Sequence, residues 1–100
     1  VTPQGSGDFS IGSNVWPGIS KLIEEAGEVT QVCGKLIALA GESNHWDGTD
    51  LRERLEDELA DVIAAWDFVI YHNGLDGGRI KKRARDKLKL FETWHKERGS

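Results

Sequence analysis

One hundred residues with 38% hydrophobic, 30% charged and 8% aromatic content describe a single globular domain and exclude a disordered or fibrous chain. The lone Cys33 excludes an internal disulfide framework and a cysteine-rich zinc site. No apolar run nears the roughly 20 residues of a membrane span, and a formal charge of −4 argues against polymeric nucleic acid as the main partner.

In chain order, residues 1–13 (VTPQGSGDFSIGS) combine glycine, serine and proline with no apolar periodicity, and read as a flexible N-terminal arm. They lack the basic-then-apolar layout of a signal peptide, so the expected setting is soluble and cytoplasmic. Residues 14–100 read as one helical domain. From about Pro17 to Ala40 the apolar residues Ile19, Leu22, Ile23, Ala26, Val29, Cys33, Leu36 and Ile37 recur at steps of three and four, which predicts an amphipathic helix stopped at Gly41. GESNHWDGT (41–49) reads as a loop. Asp50 followed by Glu53 has the spacing of a capping box and predicts a second helix to about His72, where Asn73-Gly74 breaks it. A third helix is expected from about Arg79 to Lys96, with Ile80, Ala84, Leu88, Phe91 and Trp94 as its stripe. No segment alternates like a strand, so the class is all-α, with three main helices joined by short loops and packed as antiparallel neighbours.

Two of these helices carry acids where apolar residues belong. At about 100° per residue, Glu58 lies in the middle of the second helix's apolar arc, with Ala65 at about −20° and Val69 at about +20°; Asp61 falls at about −60°. On the first helix Glu25 lies among Val32, Leu36 and Val29, with Glu28 at about −60° and Glu24 at about −100°. Desolvating a carboxylate costs several kcal/mol unless a cation or a proton compensates. Four acids gathered by packing the two helices are hard oxygen donors that suit Mg²⁺ or Mn²⁺. The structural alternative for Glu58 is an ion pair with Arg54, one turn earlier. None of Glu25, Glu28, Glu58 and Asp61 has a histidine three residues on, the Glu-x-x-His spacing that a di-iron carboxylate bundle uses.

The third helix shows the complementary feature. Residues 1–78 carry 4 basic and 14 acidic side chains, whereas residues 79–100 carry 9 basic and 3 acidic. Lys87 lies inside the apolar stripe, at about −20° from Ile80, and Arg83 at about −60°. Either the lysine snorkels to solvent or the pair contacts a phosphate facing the acids.

Glu24-Glu25-Ala26-Gly27-Glu28, a spacer of 29 residues and Glu58-Leu59-Ala60-Asp61 together resemble the E-E-x-x-E…E-x-x-D motif of the MazG-like all-α nucleoside triphosphate pyrophosphohydrolases. The similarity covers roughly residues 15–98. It implies cleavage between the α- and β-phosphates of a nucleoside triphosphate, giving a monophosphate and pyrophosphate. It further implies that Glu25, Glu28, Glu58 and Asp61 hold Mg²⁺, with Glu24 as a further ligand or the group orienting water. Lys87, and less directly Arg83, would stabilise the leaving pyrophosphate. The base would meet Trp16 or the loop residues His45 and Trp46, although a loop tryptophan equally suits a subunit interface. The resemblance also implies a homodimer or dimer of dimers in which helices of two chains complete one bundle. Phosphoribosyl-ATP pyrophosphohydrolase is an alternative within the superfamily. From another class, a helical interaction module could use the same acids to dock a basic partner.

Overall fold

The computed structural model describes residues 7–43, 48 and 50–99. Three α-helices, α1 (Ile19–Ala38), α2 (Leu51–His72) and α3 (Gly77–Gly99), make up the fold, and no strand occurs among the described residues. None of these helices is long and apolar enough to cross a membrane.

Local chemistry sets each boundary. Gly18 opens α1 at φ 91°, and a Cβ placed there would lie 2.6 Å from the Phe68 ring. Glycine is thus required twice over, by the left-handed backbone and by the close approach of α2. α1 closes two residues earlier than its apolar periodicity extends. Ala40 takes the left-handed conformation at φ 55°, and its N–H and that of Gly41 donate to the Ile37 and Leu36 carbonyls at 3.1 and 2.8 Å. This Schellman arrangement satisfies carbonyls that the helix end would leave open.

Asp50 caps α2 as its spacing predicts, its carboxylate accepting from the Arg52 and Glu53 amides at 3.0 and 3.3 Å. α2 ends in a second Schellman arrangement, with Gly74 at φ 63° and the Leu75 N–H donating to the Ile70 carbonyl at 3.0 Å. Asn73 joins this end to the start of α1, its Nδ2 donating to the Pro17 and Val69 carbonyls at 3.0 and 2.9 Å. Asp76 then caps α3, accepting from the Arg79 amide at 3.0 Å.

α1 and α2 pack as an antiparallel pair. The buried hydrophobic side chains are Val32 of α1 with Leu51, Ala65 and Val69 of α2. Part of the segment read as an arm is tied to this pair: the Ser20 and Gly18 amides donate to the Phe9 and Ser10 carbonyls at 2.8 and 2.9 Å. Ser20 Oγ also donates to the Asp8 carbonyl at 2.6 Å.

α3 departs from the expected arrangement. It contributes nothing to the buried core, and its residues from Gly78 to Arg98 are all exposed. The chain measures 58 × 37 × 16 Å with a radius of gyration of 17.4 Å, against about 13 Å for a compact domain of this length. The three helices are therefore not mutual neighbours within one chain. Periodicity marks an apolar face on a helix without specifying which surface covers it, and that is where the expectation of a three-helix packing fails.

Candidate metal centre between α1 and α2

Antiparallel packing brings the two halves of the acidic motif level with one another. Glu25 from α1 and Glu58 and Asp61 from α2 each place a carboxylate oxygen within 4.8 Å of the others. The Glu25 and Glu58 side chains are only 12% and 16% exposed, so these two carboxylates lie between the helices rather than on the outer surface. Asp61 is open to solvent and lines a groove with Ile11, Lys21, Glu25, Ala64 and Ala65.

Two basic side chains flank the cluster. Arg54 lies 3.6 Å from Glu28 and 3.9 Å from Glu58, so the ion pair weighed from the sequence is present and extends to a second acid. Lys21 reaches Glu24 at 3.3 Å and Glu25 at 3.5 Å. The hydrogen bond to Glu24 and the charges of Glu24 and Glu25 hold the Lys21 ammonium above its ordinary pKa. Glu58 is shifted up as well, first by burial and then by the charges of Glu28 and Asp61, with Arg54 opposing. Arg54 therefore leaves Glu58 under-compensated, which is the electrostatic condition a divalent cation relieves.

The donor set fits a hard divalent ion. Oxygens in an octahedral Mg²⁺ shell with bonds near 2.0–2.1 Å stand about 3 to 4 Å apart, so three oxygens already within 4.8 Å need only small side-chain rotations to share one ion. Carboxylates without histidine or thiolate favour Mg²⁺ or Mn²⁺ over softer metals. Glu28 stands apart from this trio, engaged by Arg54 and 40% exposed, and Glu24 is 60% exposed on the Lys21 side.

The remaining candidates are distributed elsewhere. Trp16 is exposed at φ 46° and shares an apolar hollow with Phe9 and Ile19. Ile19 is about 120° round α1 from Glu25, so this hollow opens away from the acids. His45 and Trp46 lie outside the described residues. Arg83 and Lys87 line a basic groove along α3 with Arg79 and Lys82, and the Lys87 ammonium sits 5.9 Å from the centroid of the Phe91 ring. Since α3 stands clear of the α1/α2 pair, neither cation joins the acidic trio of its own chain.

Sequence reasoning missed Lys21 and Ile11 at the groove. The signal for Lys21 was available, since it precedes Glu25 by four residues and so shares its face of α1. Nothing marked Ile11, which reaches the groove because residues 8–18 fold back over the start of α1. No protein-family model, curated protein or solved structure matches the chain.

Proposed function

We propose that this chain is a Mg²⁺-dependent nucleotide pyrophosphohydrolase of the MazG-like type. It acts on nucleoside or deoxynucleoside triphosphates and gives a monophosphate and pyrophosphate. The observation that carries this reading is the convergence of Glu25, Glu58 and Asp61, drawn from the two separate halves of the motif, at one point between α1 and α2.

In this reading Glu25, Glu58 and Asp61 hold the ion, with Mn²⁺ as a substitute, and Glu28 joins them on release from Arg54. The ion supplies charge neutralisation on the triphosphate and lowers the pKa of bound water. Glu24 orients the attacking water, whose oxygen joins the α-phosphorus as the bond to the bridging oxygen breaks and pyrophosphate leaves. Lys21 aligns Glu24 and Glu25 through its ion pairs to both. Lys87, with Arg83, stabilises the departing pyrophosphate, and because α3 stands clear of the acids this role requires a second copy. A homodimer or dimer of dimers is therefore part of the proposal. Trp16, His45 and Trp46 are the side chains proposed to meet the base, and a cytoplasmic setting accords with the lone Cys33.

One observation favours a second reading. The Arg54 and Lys21 ion pairs partly balance the acids without any metal, as they would in a helical module that docks a basic partner. Incubation with a panel of NTPs and dNTPs plus Mg²⁺ separates the two. The enzyme releases pyrophosphate and loses this activity on Glu58→Gln, whereas release of orthophosphate alone, or activity indifferent to the substitution, overturns the proposal. A docking module releases neither product, and its stability responds to salt rather than to Mn²⁺.

A further inference from the structure

The acidic centre between α1 and α2 carries a cation at its mouth. Lys21 lies about −40° round α1 from Glu25, on the side that also carries Glu28 and Glu24, and its ammonium sits 3.5 Å from Glu25 and 3.3 Å from Glu24. The Lys21 side chain is 44% exposed against 12% for Glu25, so the ammonium stands outside while the carboxylate it pairs with lies between the helices. The same lysine lines the groove that runs past Glu25 and Asp61, with Ile11, Ala64 and Ala65 as apolar walls. Among the described residues it is the cation of that groove, since Arg83 and Lys87 line a separate one along α3.

Lys21 and Arg54 both pair with the acids, but they are anchored differently. Arg54 spans the two helices, from Glu58 of its own helix to Glu28 of α1. Lys21 has both partners on its own helix, and the one it would keep, Glu24, is 60% exposed, a surface pair that holds little. Once Glu25 is committed to a divalent ion, the Lys21 ammonium loses its inner partner and meets a second positive charge. A compact ammonium on a flexible four-carbon stem turns readily into the groove beside it. Charge calls for a cation there. Glu24, Glu25, Glu28, Glu58 and Asp61 carry more negative charge than Lys21, Arg54 and one divalent ion together neutralise, so a polyphosphate chain approaches a centre that is still negative. Lys21 is the side chain placed to meet it.

We propose that Lys21 is a phosphate-binding residue of this centre: its ammonium leaves Glu25 when that carboxylate takes the metal, and donates to the polyphosphate chain lying in the groove between Ile11 and Asp61. The inference rests on the enzymatic reading and adds to the alignment of Glu24 and Glu25 a direct contact with substrate. Its test reads binding rather than hydrolysis. Mn²⁺ is first titrated alone and followed by the loss of its free-ion paramagnetic resonance signal. Inorganic tripolyphosphate, which has the phosphate chain and no base, is then titrated calorimetrically into protein kept saturated with Mn²⁺. Lys21→Met should weaken tripolyphosphate binding by about 10-fold or more, the worth of one charge-assisted hydrogen bond, while Mn²⁺ binds at least as tightly as before. Lys21→Arg, which keeps the charge, should bind tripolyphosphate more tightly than Lys21→Met does. Tripolyphosphate binding that is unchanged in Lys21→Met overturns the proposal. So does a loss that merely follows a weakened Mn²⁺ affinity, because Lys21 would then only hold the carboxylates in place, and so does a Lys21→Arg protein as weak as Lys21→Met. If the unmodified protein binds Mn²⁺ but no tripolyphosphate, the phosphate role falls and the metal centre stands. If it binds no Mn²⁺, the enzymatic reading itself falls and this inference with it.

Discussion

α1, α2 and α3 are of similar length and each carries an apolar stripe, yet among the described residues the α1/α2 pair contains the buried core and α3 none of it. The difference lies in what each stripe meets. α1 and α2 are held level by Asn73 at one end and by the Arg54 contact to Glu28 further along. α3 has a cap and a short turn but no partner surface among the described residues. A helix of good local construction still depends on tertiary burial for most of its stability.

The largest effect expected on the paired region is functional. Glu58→Gln should reduce pyrophosphate release by about 100-fold or more, because a metal-holding carboxylate and its charge are lost together. It should also remove any Mn²⁺-induced rise in melting temperature. A variant that keeps the metal-induced shift would dissociate the acidic trio from metal binding.

Stability should follow the same division. Leu51→Ala, at a fully buried position, should cost about 2–4 kcal/mol in denaturant unfolding. Leu88→Ala, at an exposed α3 position, should change the dilute protein by less than about 0.5 kcal/mol. Equal costs at the two sites would erase the distinction between the regions. A smaller loss, about 1–3 kcal/mol, is expected of Gly18→Ala, which combines a positive φ with crowding against Phe68. Asp50→Ala should remove the α2 cap at a cost of about 1 kcal/mol.

The smallest effect concerns pH. The folded state binds the Glu58 proton more tightly than the unfolded chain does, because burial and neighbouring acids raise its pKa above the ordinary 4.5. The stability this contributes is fully present below that ordinary value and is lost as pH rises through the folded one. Without divalent metal, melting temperature should therefore carry a small decline with pH over that window from this group. Glu58→Gln should flatten the decline and melt slightly higher than the unsubstituted protein at neutral pH. A profile that is the same in both proteins would show Glu58 to be fully compensated by Arg54.

Much of the acidic trio was legible beforehand because Glu58 violates its own helix's periodicity, and a carboxylate in an apolar arc needs a compensating charge. The separation of Glu28 from the trio was not legible, since it depends on Arg54 reaching across from α2. Likewise Lys87 and Arg83 could be recognised as cations within a stripe, but their distance from the acids depends on where α3 lies.

By itself the sequence determined the three helices, the Asp50 cap, the breaks at Gly41 and Asn73-Gly74, and the two acidic pairs, because each rests on interactions among residues a few positions apart. Tertiary structure alone decided that Glu25 meets Glu58 and Asp61, that Arg54 bridges Glu28 and Glu58, and that residues 8–18 fold back against α1. It also decided that α3 finds no partner surface among the described residues of its own chain. These outcomes depend on how helical faces are paired in space, and a periodic pattern identifies a face without naming the surface that will cover it.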